Sequence, residues 1–187
     1  MKNEIILTRE QLLTDLSKGK SAKYLFFWGH KSTRRGSVDK TCLSQWYPSN
    51  FTVEDVNYHT AEHYMMAEKA RLFNDLILLQ KILQARSPGE AKALGRQVAN
   101  FNQEEWVSNR FEIVVKGNYA KFSQCVNLKA FLLSTKRRVL VEASPHDKIW
   151  GIGLAEDHPN ANNPYKWRGD NLLGFALMKV RILLSNG

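Results

Sequence analysis

The feature that most constrains this chain is a series of helix-start signals between Thr8 and Glu105. Thr8 is followed three residues later by Gln11, Ser87 by Glu90 and Asn102 by Glu105, which is the spacing of a reciprocal capping box. Pro88 sits at the first helical position after Ser87, where its missing N–H costs nothing. Thr60 is a further cap. These signals predict helices over 8–19, 60–72, from Ser87 onward and over 103–122. Apolar spacing adds helices over 75–85, 127–134 and 171–184. Short aromatic or β-branched runs read as strands: Tyr24 to Trp28, Phe51 to Tyr58 as a strand or hairpin arm, Val139 to Ala143, and Lys148 to Ile152. Long polar loops cover 29–50 and 156–169, and long loops in compact domains are often functional. The predicted class is helix-rich α+β, a single compact domain over 1–187. Its strands are too few and too scattered for a doubly wound parallel sheet.

Composition narrows the partners. The 187 residues are 43% hydrophobic, enough to bury a core. No apolar run is long enough to span a bilayer. The N-terminal apolar patch is only Ile5, Ile6 and Leu7, with no cleavage site after it, so no secretory signal is expected. Cys42 and Cys125 lack metal-ligand spacing and read as free thiols of a cytoplasmic protein with no membrane partner. With 27 basic and 18 acidic residues the net charge is +9. That charge attracts anions, either phosphorylated small molecules or nucleic acid. It is spread out, with short clusters only at Arg34-Arg35 and Lys136-Arg137-Arg138.

Several motifs fail on inspection. His59, Glu62 and His63 spell H-x-x-E-H, a zinc pattern. Thr60 as the cap leaves His59 outside the helix, and no third ligand stands out downstream. Gly19-Lys20-Ser21 lacks the earlier glycine of a phosphate loop, since Thr14 occupies that place. Gly151-Ile152-Gly153 lacks a third glycine. No nucleophile elbow is present.

The stronger candidates are acidic and aromatic. Glu62 lies in the first turn of its helix, where the dipole favours the charged form. Lys69, two turns on, shares its face, with Met66 between them. Asp147 follows a Ser144-Pro145-His146 turn and precedes Trp150-Gly151, which sets a carboxylate beside an aromatic platform. An exposed helix face for the first pair and a turn-stabilising role for Asp147 are the alternatives. Of five tryptophans, Trp106 reads as core. Trp28, Trp46, Trp150 and Trp167 fall at or near loops, where an indole can stack on a base or simply be buried.

These pieces occur together in a recognisable order: Phe27-Trp28; Leu43 to Phe51 (LSQWYPSNF); Thr60 to Ala70 (TAEHYMMAEKA); Ser87-Pro88 with Gly95-Arg96; Lys121-Phe122; Ala143 to Gly153 (ASPHDKIWGIG); and Trp167 to Gly174 (WRGDNLLG). The chain thereby resembles the NADAR, or YbiA-like, family over about 24–184. A helical extension over 1–23 lies outside that core. The resemblance implies a helix-rich domain that hydrolyses the N-glycosidic bond of phosphorylated ribosylamino-pyrimidine intermediates of riboflavin biosynthesis. Other members remove ADP-ribose from guanine in nucleic acid. It implies Glu62, Asp147 and Lys69 as catalytic residues. Trp150, Trp28, Asn50, Trp167, Gly169 and Asn171 follow as substrate-binding positions. Neither a metal nor another cofactor is implied. Cleaving a ribosyl C–N bond develops positive charge at the anomeric carbon, and a carboxylate pair suits that chemistry. A non-catalytic NAD or ADP-ribose sensor is a rival reading that would not need both carboxylates. The extension and loop 29–42 are the family's variable parts.

Overall fold

A computed structural model describes residues 6–31 and 37–186. Residues 1–5 of the extension, residues 32–36 of loop 29–42 (Arg34 and Arg35 included) and residue 187 lie outside the described residues. The elements run α1 (Arg9–Ser17), β1 (Tyr24–Phe27), β2 (Phe51–Val53), β3 (Val56–Tyr58), α2 (Ala61–Leu72), α3 (Leu76–Leu83), α4 (Pro88–Gly95), α5 (Gln103–Ser123), α6 (Val126–Ser134), β4 (Val139–Glu142) and α7 (Leu172–Ser185). The class is the expected helix-rich α+β.

The caps explain where the helices begin. Thr8 and Gln11 form the complete box, with Gln11 N–H donating to Thr8 Oγ1 at 3.2 Å and Thr8 N–H to Gln11 Oε1 at 3.1 Å. Ser87 and Asn102 accept from Glu90 and Glu105 N–H at 3.1 and 3.0 Å. The Glu90 side chain reaches Arg86 N–H instead of the cap, so the box at α4 is displaced by one residue. Phe51 to Tyr58 is a two-stranded antiparallel hairpin, turned by Glu54 and Asp55, both left-handed at φ 50° and 61°. Two consecutive positive-φ residues match the right-handed twist of the strands.

The strand expected at Lys148 to Ile152 does not form. Asp147 Oδ1 accepts from both Ile149 and Trp150 N–H, which curls that segment into turns. Gly153, at φ +67°, lets the chain leave in a direction an L side chain resists.

The core runs from α2, which packs on α3, α4 and α5, through α5 on α7 to α7 on β4 of the parallel pair β1–β4, whose register sets Tyr24 opposite Val139 and Phe27 opposite Glu142. Close approach requires glycine at two contacts. A Cβ on Gly117 of α5 would fall 2.4 Å from the Tyr64 ring of α2, and one on Gly95 2.1 Å from Met66 Sδ. Asn171 ties α7 to β4: its Oδ1 accepts from Glu142 N–H and its Nδ2 donates to Leu140 O, both at 2.9 Å. β4 therefore ends at a fixed point, with Glu142 as its last residue. Helix α1 docks on the 3-10 turn Pro164–Lys166, through Arg9 Nε to Pro164 O at 3.1 Å. Among the described residues no helix is long and apolar enough to cross a membrane.

Candidate active site

A cleft of about 550 Å³ opens between α2, α4, the start of α5, the segment 44–46 and the turns after β4. Glu62, Glu142 and Asp147 all line it.

Glu62 is the second residue of α2, and its N–H, one of the orphan donors of a helix start, reaches Gln45 O at 3.0 Å. Its side chain points into the molecule, and Oε1 is buried without a partner. The helix dipole was expected to favour the charged form. Burial wins instead and pushes the carboxyl up to about 7, against the pull of Lys92, the Trp46 indole and the charge of Arg96; Asp147 adds to the rise. Glu142 was not a candidate from sequence. It ends a VLVE strand, where an acid reads as a solvated strand end. In the fold its Oε2 is shut from solvent and unpartnered. Burial, with the charges of Asp147 and Glu62, raises it to about 8, against Lys92. Both neighbouring carboxyls are thus shifted up into the neutral range, Glu142 further than Glu62.

Asp147 is held differently. Its Oδ1 accepts from Ile149 N–H at 2.9 Å and Trp150 N–H at 2.8 Å, so its direction is set by backbone. The turns around it are clamped: Ile152 N–H donates to Glu142 O at 2.9 Å, Gly153 N–H to Asp147 O at 3.1 Å, and Leu173 N–H to Trp150 O at 3.1 Å. Gly151 packs so tightly that a Cβ would lie 2.8 Å from Glu142 O. Asp147 thus braces the turn and lines the cleft at once.

On α2, Lys69 shares the cleft wall with Glu62 and Met66, as the helical spacing requires. Its Nζ donates to Gly95 O at 2.8 Å and lies 4.2 Å from the Phe101 ring centre; burial lowers its pKa. Three cations not among the candidates also line the cleft: Lys92 on α4, Arg96 one turn later at its C-cap, and Lys148 beside Asp147. For Lys92 and Arg96 the i,i+4 spacing was the available signal. Trp150 and Trp46 supply aromatic surface, and Trp106, read as core, contributes an edge.

The remaining candidates lie outside the cleft wall. Trp28 is 55% exposed and sits 6.5 Å from the His146 ring, just beyond the rim. Asn50 pairs with His59 Nδ1 at 3.2 Å. Trp167 is buried, with Nε1 donating to Ala161 O at 2.7 Å. Gly169 presses on the clamped turns, where a Cβ would meet Gly151 O at 2.3 Å. Asn171 is fully buried as the β4–α7 tie. These last two support the wall from behind. In the H-x-x-E-H segment, Thr60 caps α2 and leaves His59 outside it, while His63 uses both ring nitrogens, on Thr60 Oγ1 at 2.8 Å and Ala85 O at 3.1 Å.

Glu142 has a stability consequence. Its folded pKa lies above its ordinary value of 4.5, so it favours folding below about 4.5, and that contribution is lost as pH rises through about 8. Glu142→Gln is expected to raise stability at pH 9 by on the order of 1–3 kcal/mol and leave it unchanged at pH 4. Thermal melts at the two pH values check this; equal shifts at both would refute it.

The sequence pattern of the NADAR domain matches residues 26–185. The chain belongs to the NADAR family. It is 44% identical over 164 residues to an N-glycosidase of Acanthamoeba polyphaga mimivirus, covering 85% of this chain and 95% of that one. It is 32% identical over 139 residues to a riboflavin biosynthesis protein of Vibrio vulnificus, covering 74% of this chain and 34% of that one. The NMR structure of YbiA from Escherichia coli superposes with a TM-score of 0.70 at 28% identity, covering 89% of this chain and 88% of the other. The activity class of this NADAR protein is accordingly that of a hydrolase, an N-glycosidase. Helix α1 precedes the matched NADAR residues and is held to them through its dock on residues 164–166.

Proposed function

We propose that the cleft hydrolyses the ribosyl C–N bond of a phosphorylated ribosylamino-pyrimidine, with Glu62 as proton donor and Asp147 as the carboxylate facing the sugar. The observation that carries this reading is the asymmetry of the two acids. Glu62 is buried, unpartnered at one oxygen and raised by burial to a pKa of about 7, so that it can carry a proton near neutral pH. Asp147 is oriented by two backbone N–H groups. Environments that separate two carboxyls in this way assign acid and base roles.

The chemistry balances without a further reactant. Glu62 gives its proton to the leaving nitrogen as the C–N bond breaks. The Asp147 carboxylate stabilises the cationic anomeric carbon and accepts the proton of the attacking water. That proton returns to Glu62 through solvent. Trp150 supplies a face for the leaving base. Lys92 and Arg96 suit the phosphate, and Lys69 holds the C-terminal end of α4, next to Arg96. The names of relatives support a riboflavin-pathway substrate.

The net charge of +9 favours a second substrate of the same chemistry, ADP-ribosyl-guanine in nucleic acid. The deciding experiment incubates the purified protein, with and without EDTA, with a ribosylamino-pyrimidine 5-phosphate and with an ADP-ribosylated guanine oligonucleotide. Mass spectrometry follows free base and released sugar. Release from the first substrate, insensitive to EDTA, is expected. Release from the oligonucleotide alone would transfer the assignment to the second substrate. Release from neither, with tight ADP-ribose binding, would make the protein a sensor.

A further inference from the structure

The helix α5 carries a fully buried lysine that the proposed chemistry does not use. Lys121 is 0% exposed, and its Nζ donates to Cys42 O at 2.7 Å and Ser44 O at 2.8 Å. An ammonium is costly to bury, and its position invites a functional reason. The Tyr47 and Phe122 ring centres lie 5.6 and 5.1 Å from it. One turn earlier, Asn118, also fully buried, donates from Nδ2 to Gln45 Oε1 at 2.7 Å. Both side chains thus grip the same short segment, 42–46, which has no regular structure after its 3-10 turn ends at Leu43.

That segment ends in the cleft. Gln45 O takes the Glu62 N–H, Ser44 Oγ takes the Trp46 N–H at 3.1 Å, and Trp46 lines the same cleft wall as Glu62. We infer that Lys121 is a positioning residue of the glycosidase: by holding the carbonyls of Cys42 and Ser44 it sets the Trp46 indole against Glu62 and so fixes where the acid points. A lysine suits the task because, although burial lowers its pKa to about 7, even the neutral amine keeps two N–H donors for the two converging carbonyls. The groups that face Glu62 are Trp46, Lys92, Arg96, Glu142 and Asp147; the titratable group facing Lys121 is the Cys42 thiol, itself pushed up to about 12 by burial.

The inference rests on Glu62 acting in the chemistry, so Glu62→Gln is assayed alongside. Lys121→Met keeps the length and removes the donors. It is expected to lower kcat at least about tenfold with little change in KM. Because the Trp46 indole holds the Glu62 pKa down, its displacement moves the alkaline limb of the pH–rate profile upward. Trp46→Phe is expected to move the limb in the same direction, and the double variant to be no worse than Trp46→Phe alone. Unchanged kcat, an unmoved limb, or additive losses in the double variant would each overturn the inference. Should Lys121→Met fail to fold, Lys121→Gln carries the same measurements; failure of both would overturn it too, making the ammonium a core element. Full activity in Glu62→Gln would instead remove the proposed chemistry itself.

Discussion

Glu62→Gln is expected to lose at least about a hundredfold in kcat, the scale of one positioned acid–base group. The amide is nearly isosteric, so the backbone bond from Glu62 N–H to Gln45 O and the packing beside Trp46 are retained. What disappears is the proton that burial lets the carboxyl carry near neutral pH. The wild-type rate is expected to fall as pH rises through about 7, where Glu62 ionises, and the variant to lack that limb. Stability moves the other way. The folded pKa is raised, so the charged form opposes folding above it, and a neutral amide relieves that opposition. The variant should melt no lower than the parent at pH 8. Steady-state kinetics across pH, with melts on the same samples, make the check. Full activity in a folded variant would falsify the assignment of Glu62.

Asp147→Asn is expected to cost between about a hundredfold and a thousandfold in kcat, the range seen when one preorganised charge-stabilising group is removed. Asparagine keeps an Oδ1 acceptor for Ile149 and Trp150 N–H, so the turns after β4 stay in place. The negative charge opposite the developing cation is lost. The same charge raises both Glu62 and Glu142, so its removal should shift the residual alkaline limb downward. Asp147→Ala removes the acceptor as well and is expected to melt lower than Asp147→Asn. A fall in rate with no limb shift in the Asn variant would mean that Asp147 only shapes the turn.

The two variants separate roles that one cleft combines. In the proposed mechanism Glu62 works by being hidden from water, and Asp147 by being aimed. The first depends on what surrounds α2, the second on a few backbone groups within three residues of Asp147. That difference also decides how visible each was in advance. A capping interaction is local: Thr8 with Gln11, or Asn102 with Glu105, involves residues three apart, so the helix starts could be read directly. The face shared by Glu62, Met66 and Lys69 follows from helical spacing and reappears on the cleft wall. Their joining with Asp147 and Trp150, residues far away in the chain, came only through family resemblance.

The points at which the structure differs from the local pattern share a cause. Lys148 to Ile152 has strand-like composition, but the Asp147 side chain offers its backbone a closer partner than another strand would. Asn171 and Gly169 belong to a motif expected at the substrate; in the fold one ties β4 to α7 and the other sits where a Cβ would meet Gly151 O. Glu142 stayed invisible because an acid ending a short strand is ordinary in solvent. Only the packing of α2 and the turns after β4 around it makes it a buried acid.

The sequence by itself determined the helix-rich α+β class, most element boundaries and the helical face that carries Glu62 and Lys69, because caps, turns and periodicity act over a few residues. The tertiary structure alone decided which carboxyls gather, which of them burial raises and that a buried lysine grips the segment beside Glu62. Burial and electrostatic coupling depend on groups brought together from distant parts of the chain, and no local pattern records them.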